Sequence, residues 1–163
     1  SNLIGGYTTV EDYVLSSINS FVHTGESSEL LRAIHHFCAE DLCVDIYTAM
    51  LEVSKHYEEG AKKYQPRNWE KGIDLHCYID SGVRHYLKFK RGDKDEPHDR
   101  AFIWNMLGAV WTYKHKPKLI DLPFNEKRCC VSPETASAGL VEKVEEICSE
   151  MKFHKTGGHY EVN

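Results

Sequence analysis

Apolar residues in this chain recur three and four positions apart, and nowhere do they alternate cleanly at intervals of two. Ile46, Met50, Val53 and Tyr57 follow the helical interval, and so do Leu140, Val144, Ile147 and Met151. That spacing lines one face of a helix, whereas a half-buried strand needs period two. Runs of β-branched residues are also missing. The pattern predicts an all-α protein: a bundle of about six helices in a single domain over 1–163.

Capping residues divide the pattern into elements. Thr8 and Glu11 make a capping box before a first helix near 9–22. Ser27 or Ser28 can cap a second helix through about residue 40, and a third runs from about Val44 to Lys63. Pro66 disfavours helical Gln65 and ends it. Asp74 can cap a fourth helix to about Lys90, and a fifth covers His98 to Tyr113. After a long irregular connector, Ser132 and Pro133 start a helix over 133–151, which should stop near Lys155-Thr156-Gly157-Gly158.

Composition excludes several functions. The 163 residues are 41% hydrophobic and 28% charged, which suits one folded domain with a sizeable core. A net charge of −5 argues against duplex nucleic acid or an anionic membrane as partner. No run approaches the roughly 20 apolar residues of a membrane span, and no signal peptide is visible. None of the six cysteines forms a C-x-x-C pair, so free thiols in a reducing cytoplasm are expected. Isolated histidines such as His23, His115, His154 and His159 read as surface residues.

Polar side chains align on three helices. The third carries Glu52, Lys55 or His56, Glu59 and Lys63 on one face, and the fourth carries His76, Asp80 and Arg84. Each is most simply a solvated face. The fifth groups His98, Phe102 (or Ala101), Asn105 and Ala109. Asn105 stands in the apolar stretch AFIWNMLGAVW, where a buried amide must find a hydrogen bond: it is either a helix-packing residue or part of a polar pocket. Carboxylates from facing helices can hold a hard divalent cation, which bridges phosphate oxygens and activates water. Glu52, Glu59 (or Glu58), Asp80, Asp95, Glu96 and Asp99 offer such oxygens. Lys62, Lys63 and Arg84 can contact phosphates, and Tyr64 and Trp69 can stack on a base. There is no glycine-rich phosphate loop of either common type.

The stretches EVSKHYEEGAKKYQPRNWEKG, DSGVRHYLKFKRGDKDEPH and HDRAFIWNMLG together resemble a phage and prophage family, the dATP/dGTP diphosphohydrolases of N-terminal type. Glu52, Gly60, Ala61, Lys63, Tyr64, Asn68 and Trp69 match its pattern in order, then Asp80, Arg84, His85, Gly92, Asp95, His98 and Asn105. The resemblance covers about residues 50–113, flanked by helices over 9–40 and 133–151. The family is similar to MazG-like all-α nucleotide pyrophosphohydrolases, which use Mg²⁺ on helix carboxylates and are commonly homo-oligomeric.

The resemblance implies a Mg²⁺- (or Mn²⁺-) dependent, cytoplasmic enzyme that hydrolyses a purine-favoured dNTP to the monophosphate and pyrophosphate. Glu52, Asp80 and His98 would be catalytic, and Glu52, Glu59, Asp80 and Asp95 would hold metal. Lys63 and Arg84 would bind phosphate, Trp69 or Tyr64 would meet the base, and Asn68, His85 and Asn105 would complete the substrate pocket. The chain departs from the pattern at Ala101, where the family often has a second histidine. It also lacks an E-x-x-E in the third helix, although Glu96-x-x-Asp99 fits the later half of the MazG signature. Two other readings remain: a non-catalytic nucleotide-binding protein, for instance one that sequesters a nucleotide signal in phage anti-defence, and a helical interaction protein with solvated polar faces.

Overall fold

A computed structural model describes residues 12–125. It is all-α, as the periodicity predicts, with five α-helices and no strand among these residues. The described residues all belong to one compact unit, residues 1–129. The expected capping pair Thr8 and Glu11, and the expected helix over 133–151, lie outside the described residues.

Helix α1 spans Tyr13–Thr24. Asp12 is its N-cap and accepts the Leu15 N–H at 3.0 Å, so the helix starts later than a Thr8 cap predicts. Helix α2, Ser28–His36, has Ser27 at its N-cap position and runs on into a π-helical turn over Phe37–Leu42. Helix α3 spans Ile46–Lys63. Its cap is Asp45, which takes the Thr48 N–H at 2.9 Å and the Thr48 hydroxyl at 2.7 Å. A 3₁₀ turn over Asn68–Lys71 precedes α4, Leu75–Arg91, and α5 spans His98–His115.

The expected cap of α4 is corrected. Asp74 stands at the N-cap but makes no side-chain capping bond. Asp121, from the connector after α5, accepts the His76 N–H at 2.9 Å instead and also bonds the His76 ring. A helix N-terminus needs acceptors for its free N–H groups, and a distant carboxylate serves as well as a local one.

Helices α4 and α5 form the central pair, and α1, α2 and α3 pack around it. Phe37 lies edge-on to Phe102 at 4.7 Å and to Phe89 at 5.0 Å between ring centroids, favoured aromatic geometries. Phe21, Ile18, Leu30, Ile34, Tyr86, Ile103 and Met106 complete a solvent-free core. Two glycines let α4 and α5 approach closely. A Cβ at Gly108 would stand 2.4 Å from the Tyr78 ring, and one at Gly82 would stand 2.3 Å from Met106 Cε. Gly60, in the middle of the polar stretch of α3, has no protein atom within 4 Å of such a Cβ, so no neighbouring helix uses its missing side chain.

Candidate active site

The close pairing of α4 and α5 brings His85 opposite His98. Gly92, at φ +87°, ends α4, and a short loop returns the chain to α5. The loop folds Asp93, Asp95 and Glu96 back over the joined helix ends, and the His98 N–H bonds the Glu96 carbonyl at 2.9 Å. The side chain of His98 is 1% exposed and that of His85 is 11% exposed, while Glu96 reaches solvent at 47%. The site is therefore a buried imidazole pair under a carboxylate lid.

Its distances are tight. The Nδ1 atoms of His85 and His98 are 3.0 Å apart. Glu96 Oε1 lies 3.6 Å from each of them. On its other nitrogen, His98 Nε2 bonds Asp95 Oδ1 at 2.8 Å, and Lys88 Nζ bonds Asp95 Oδ2 at 2.9 Å. The ammonium of Lys88 and the His98 bond hold the Asp95 carboxyl well below the usual range. Burial pushes the His85 imidazole below its usual value, and the Glu96 charge opposes the shift. Neutral imidazoles keep a ring-nitrogen lone pair, which is what a metal or a proton needs.

Helix α3 adds a second polar layer. Arg100 of α5 reaches Glu59 at 3.2 Å. His56 packs against Trp104 at 5.7 Å, and its Nδ1 is buried with no hydrogen-bond partner among the described residues. Burial holds this ring below its usual value; Arg100 acts in the same direction, and the Glu59 and Glu96 charges oppose both. Spacing names Glu96 as one candidate carboxylate and His56 as an alternative on the face of the third helix, but it points to neither Lys88 nor Arg100. The sequence signals in this region are the face shared by His56 and Glu59 and the acidic run before His98, with its Glu96-x-x-Asp99 spacing.

The sequence-predicted residues divide into two sets. His85, Asp95 and His98 come together as described. Glu52 is exposed and pairs with Lys55 at 2.6 Å, and Asp80 and Arg84 are exposed on α4, Arg84 bonding Ser81 at 3.1 Å. Glu59 belongs to the Arg100 layer. Lys63 lies over the exposed Tyr64 ring at 5.1 Å. Asn68 opens the 3₁₀ turn, and Trp69 packs edge-on to Trp111 at 5.2 Å and Tyr57 at 5.7 Å. Asn105 is buried and donates from Nδ2 to the Ala101 carbonyl of its own helix at 2.8 Å.

Three groups of side chains among the described residues bring potential metal-donor atoms within 4.8 Å of one another: His85–Glu96–His98, Asp93–Asp95–His98 and Asp74–His76–Asp121. Glu52, Glu59 and Asp80 belong to none of them.

The model of the family described as dATP/dGTP diphosphohydrolase, N-terminal, matches residues 40–122, just over half of the chain. The chain belongs to this family. No curated protein matches it, and no solved structure does. The matched span of this diphosphohydrolase-family chain is wider than the motif core near 50–113. It contains all of α3, α4 and α5, the loop carboxylates and Asp121. The donor groups also fit the divalent metal that a hydrolase of this family suggests, since two of the three contain a histidine with two carboxylates and the third two histidines with one. No described helix is long and apolar enough to cross a membrane. Cys38, Cys43 and Cys77 are free thiols, and Cys129, Cys130 and Cys148 lie outside the described residues.

Proposed function

We propose that the protein is a metal-dependent nucleotide diphosphohydrolase that cleaves a purine dNTP to the monophosphate and pyrophosphate, at the junction of α4, the 92–97 loop and α5. The observation that carries this reading is the convergence of His85, Glu96 and His98 at distances of 3.0 and 3.6 Å within the family-matched span. A divalent ion there would neutralise phosphate charge and favour attack by water.

The chain supplies the rest. His85, Glu96 and His98 hold the ion, and Asp95 orients His98. Lys88, beside Glu96 at 4.0 Å, adds a positive charge for the triphosphate. Arg100, Arg84 and Lys63 supply further cations, of which Arg can engage phosphate bidentately. Tyr64 is open for base contact, while Trp69 stiffens the adjoining wall through Tyr57 and Trp111. Glu52 and Asp80 then act from the surrounding surface rather than as ligands of this ion. The purine preference rests on the family description.

A second reading keeps the pocket but not the turnover, so that the protein sequesters a nucleotide. It is favoured by one observation: no ligand-spaced group among the described residues contains three carboxylates. One assay separates the two. The protein is incubated with each dNTP and a panel of divalent ions, and pyrophosphate is measured. Release from dGTP and dATP that chelator abolishes supports the enzyme. A nucleotide-dependent rise in melting temperature without any release supports the trap.

A further inference from the structure

We propose that His85, Glu96 and His98 bind one first-row transition-metal ion, selected over Mg²⁺ by the two imidazole donors. The use of that ion in hydrolysis rests on the function proposed above; the binding site itself stands on geometry. The three donor atoms form a triangle with sides of 3.0, 3.6 and 3.6 Å. A point about 2.0 Å from all three lies inside it, the bond length of zinc to imidazole nitrogen and carboxylate oxygen. An ion there would be ringed by two histidines and one carboxylate, which leaves the positions above and below their plane for water or phosphate oxygens.

The surrounding bonds prepare the ligands. A metal-binding histidine usually gives its second ring nitrogen to a carboxylate, which fixes its tautomer and orientation. Asp95 does this for His98 at Nε2, and Lys88 in turn holds Asp95. The His98 Nδ1 lone pair is then left facing His85 Nδ1.

The other two groups are already engaged. Asp93 is held by Nε and Nη2 of Arg91, and Asp95 by Lys88. Asp121 is taken up in capping α4 through His76. Glu96 has Lys88 only at 4.0 Å, so its oxygen is the carboxylate most available to an ion. Imidazole nitrogen suits Zn²⁺, Fe²⁺, Co²⁺ or Ni²⁺, whereas Mg²⁺ prefers an all-oxygen shell.

The test is a titration of the metal-stripped full chain with Co²⁺, read by its visible absorption, alongside calorimetry with Zn²⁺, Mn²⁺ and Mg²⁺. The expected result is a Co²⁺ band that about a 1,000-fold excess of Mg²⁺ does not remove, in line with the donor preference. Glu96→Gln, a change on an exposed loop, should weaken Co²⁺ binding at least about 10-fold. His98→Gln should weaken it further, with helical circular dichroism confirming that the variant is folded. His76→Ala should leave the band unchanged. Wild-type Co²⁺ affinity in Glu96→Gln, or displacement by equimolar Mg²⁺, would overturn the site. Co²⁺ bound as expected but no pyrophosphate from any dNTP would overturn the enzymatic reading alone. Pyrophosphate release that persists in metal-loaded Glu96→Gln at the wild-type rate would overturn the metal site and leave hydrolysis standing.

Discussion

His98 gives its Nε2 hydrogen to Asp95 at 2.8 Å, and this bond sets which edge of the imidazole remains a lone pair. The free edge faces His85 and Glu96, so a side chain on the solvent-exposed loop controls the chemistry of a buried one. Asp95→Ala should therefore separate function from stability. Nucleotide turnover and metal affinity should fall about 10- to 100-fold, as for other carboxylates behind a metal-binding histidine. The melting temperature should move less than activity, because the ion pair with Lys88 is a surface one and the Asp95 side chain is 57% exposed, so water can replace it as acceptor for the His98 Nε2–H. Equal losses of stability and activity would make Asp95 structural only.

Two glycines should respond oppositely to the same substitution. Gly60→Ala adds a methyl where no protein atom lies within 4 Å and should stabilise α3 by about 0.5–1 kcal/mol. Gly108→Ala drives a methyl to 2.4 Å from the Tyr78 ring and should cost about 1–3 kcal/mol. Urea unfolding followed by circular dichroism measures both. A Gly60→Ala protein that is stabilised yet binds nucleotide more weakly would place a ligand against α3 at that point.

Asp12 couples the first helix to the core. One oxygen caps α1 through Leu15, and the other accepts the hydroxyl of buried Tyr86 at 2.7 Å. Burial, with the bond to Asp12 second, pushes the Tyr86 phenol far above its usual value, so it stays a donor at any working pH. Asp12→Ala removes a cap and strands a buried hydroxyl, for an expected loss of about 2–4 kcal/mol. Tyr86→Phe removes only the donor, leaves the half-buried Asp12 carboxylate in place and keeps the cap, and should cost about 1 kcal/mol. Chemical denaturation of the two variants reads the difference.

The His76–Asp121 pair should give stability a pH signature. The bond to Asp121, then its charge, raises the His76 imidazole above its usual value, with Asp80 and Asp74 adding to the effect. Burial pushes the Asp121 carboxyl up, but the bonds from the His76 N–H and ring outweigh it and leave the group below its usual value. The His76 share of stability is complete below about pH 6.5 and is lost as pH rises through the raised folded value. The Asp121 share is present above about pH 3.9 and is lost as pH falls through the lowered folded value. Melting curves of wild type and Asp121→Asn should therefore lie furthest apart between those limits and converge in part above pH 7. A constant gap from pH 4 to 9 would show that only the neutral capping bond matters.

The helices were legible because periodicity reports which residues share a face. Ile46, Met50, Val53 and Tyr57 placed α3 correctly to within two residues at its start, and the Asp45–Thr48 pair could have fixed that start. Periodicity does not report what covers a face. Glu52, Asp80 and Arg84 align on their helices as expected, yet those faces meet solvent. Asp121 caps α4 through the N–H of His76, 45 residues before it, which no local pattern encodes. The π-helical turn over Phe37–Leu42 likewise has no signal in the spacing. His85, Asp95 and His98 came from family resemblance, because a pairing across two helices and a loop has no spacing rule. Glu96 is visible as one carboxylate among several and as the first residue of Glu96-x-x-Asp99, neither of which places it beside the two histidines.

The proposed dependence of hydrolysis on the His85–Glu96–His98 centre turns on the Glu96 carboxylate. It is tested most directly by measuring pyrophosphate release from dGTP by metal-reconstituted wild type and Glu96→Gln, with melting curves recorded for both. The expected result is chelator-sensitive release by wild type and at least about a 100-fold slower rate in a variant that melts alike, the scale expected when a metal-dependent centre loses a ligand. Equal rates in the two proteins, or no release by wild type with any divalent ion, would contradict it.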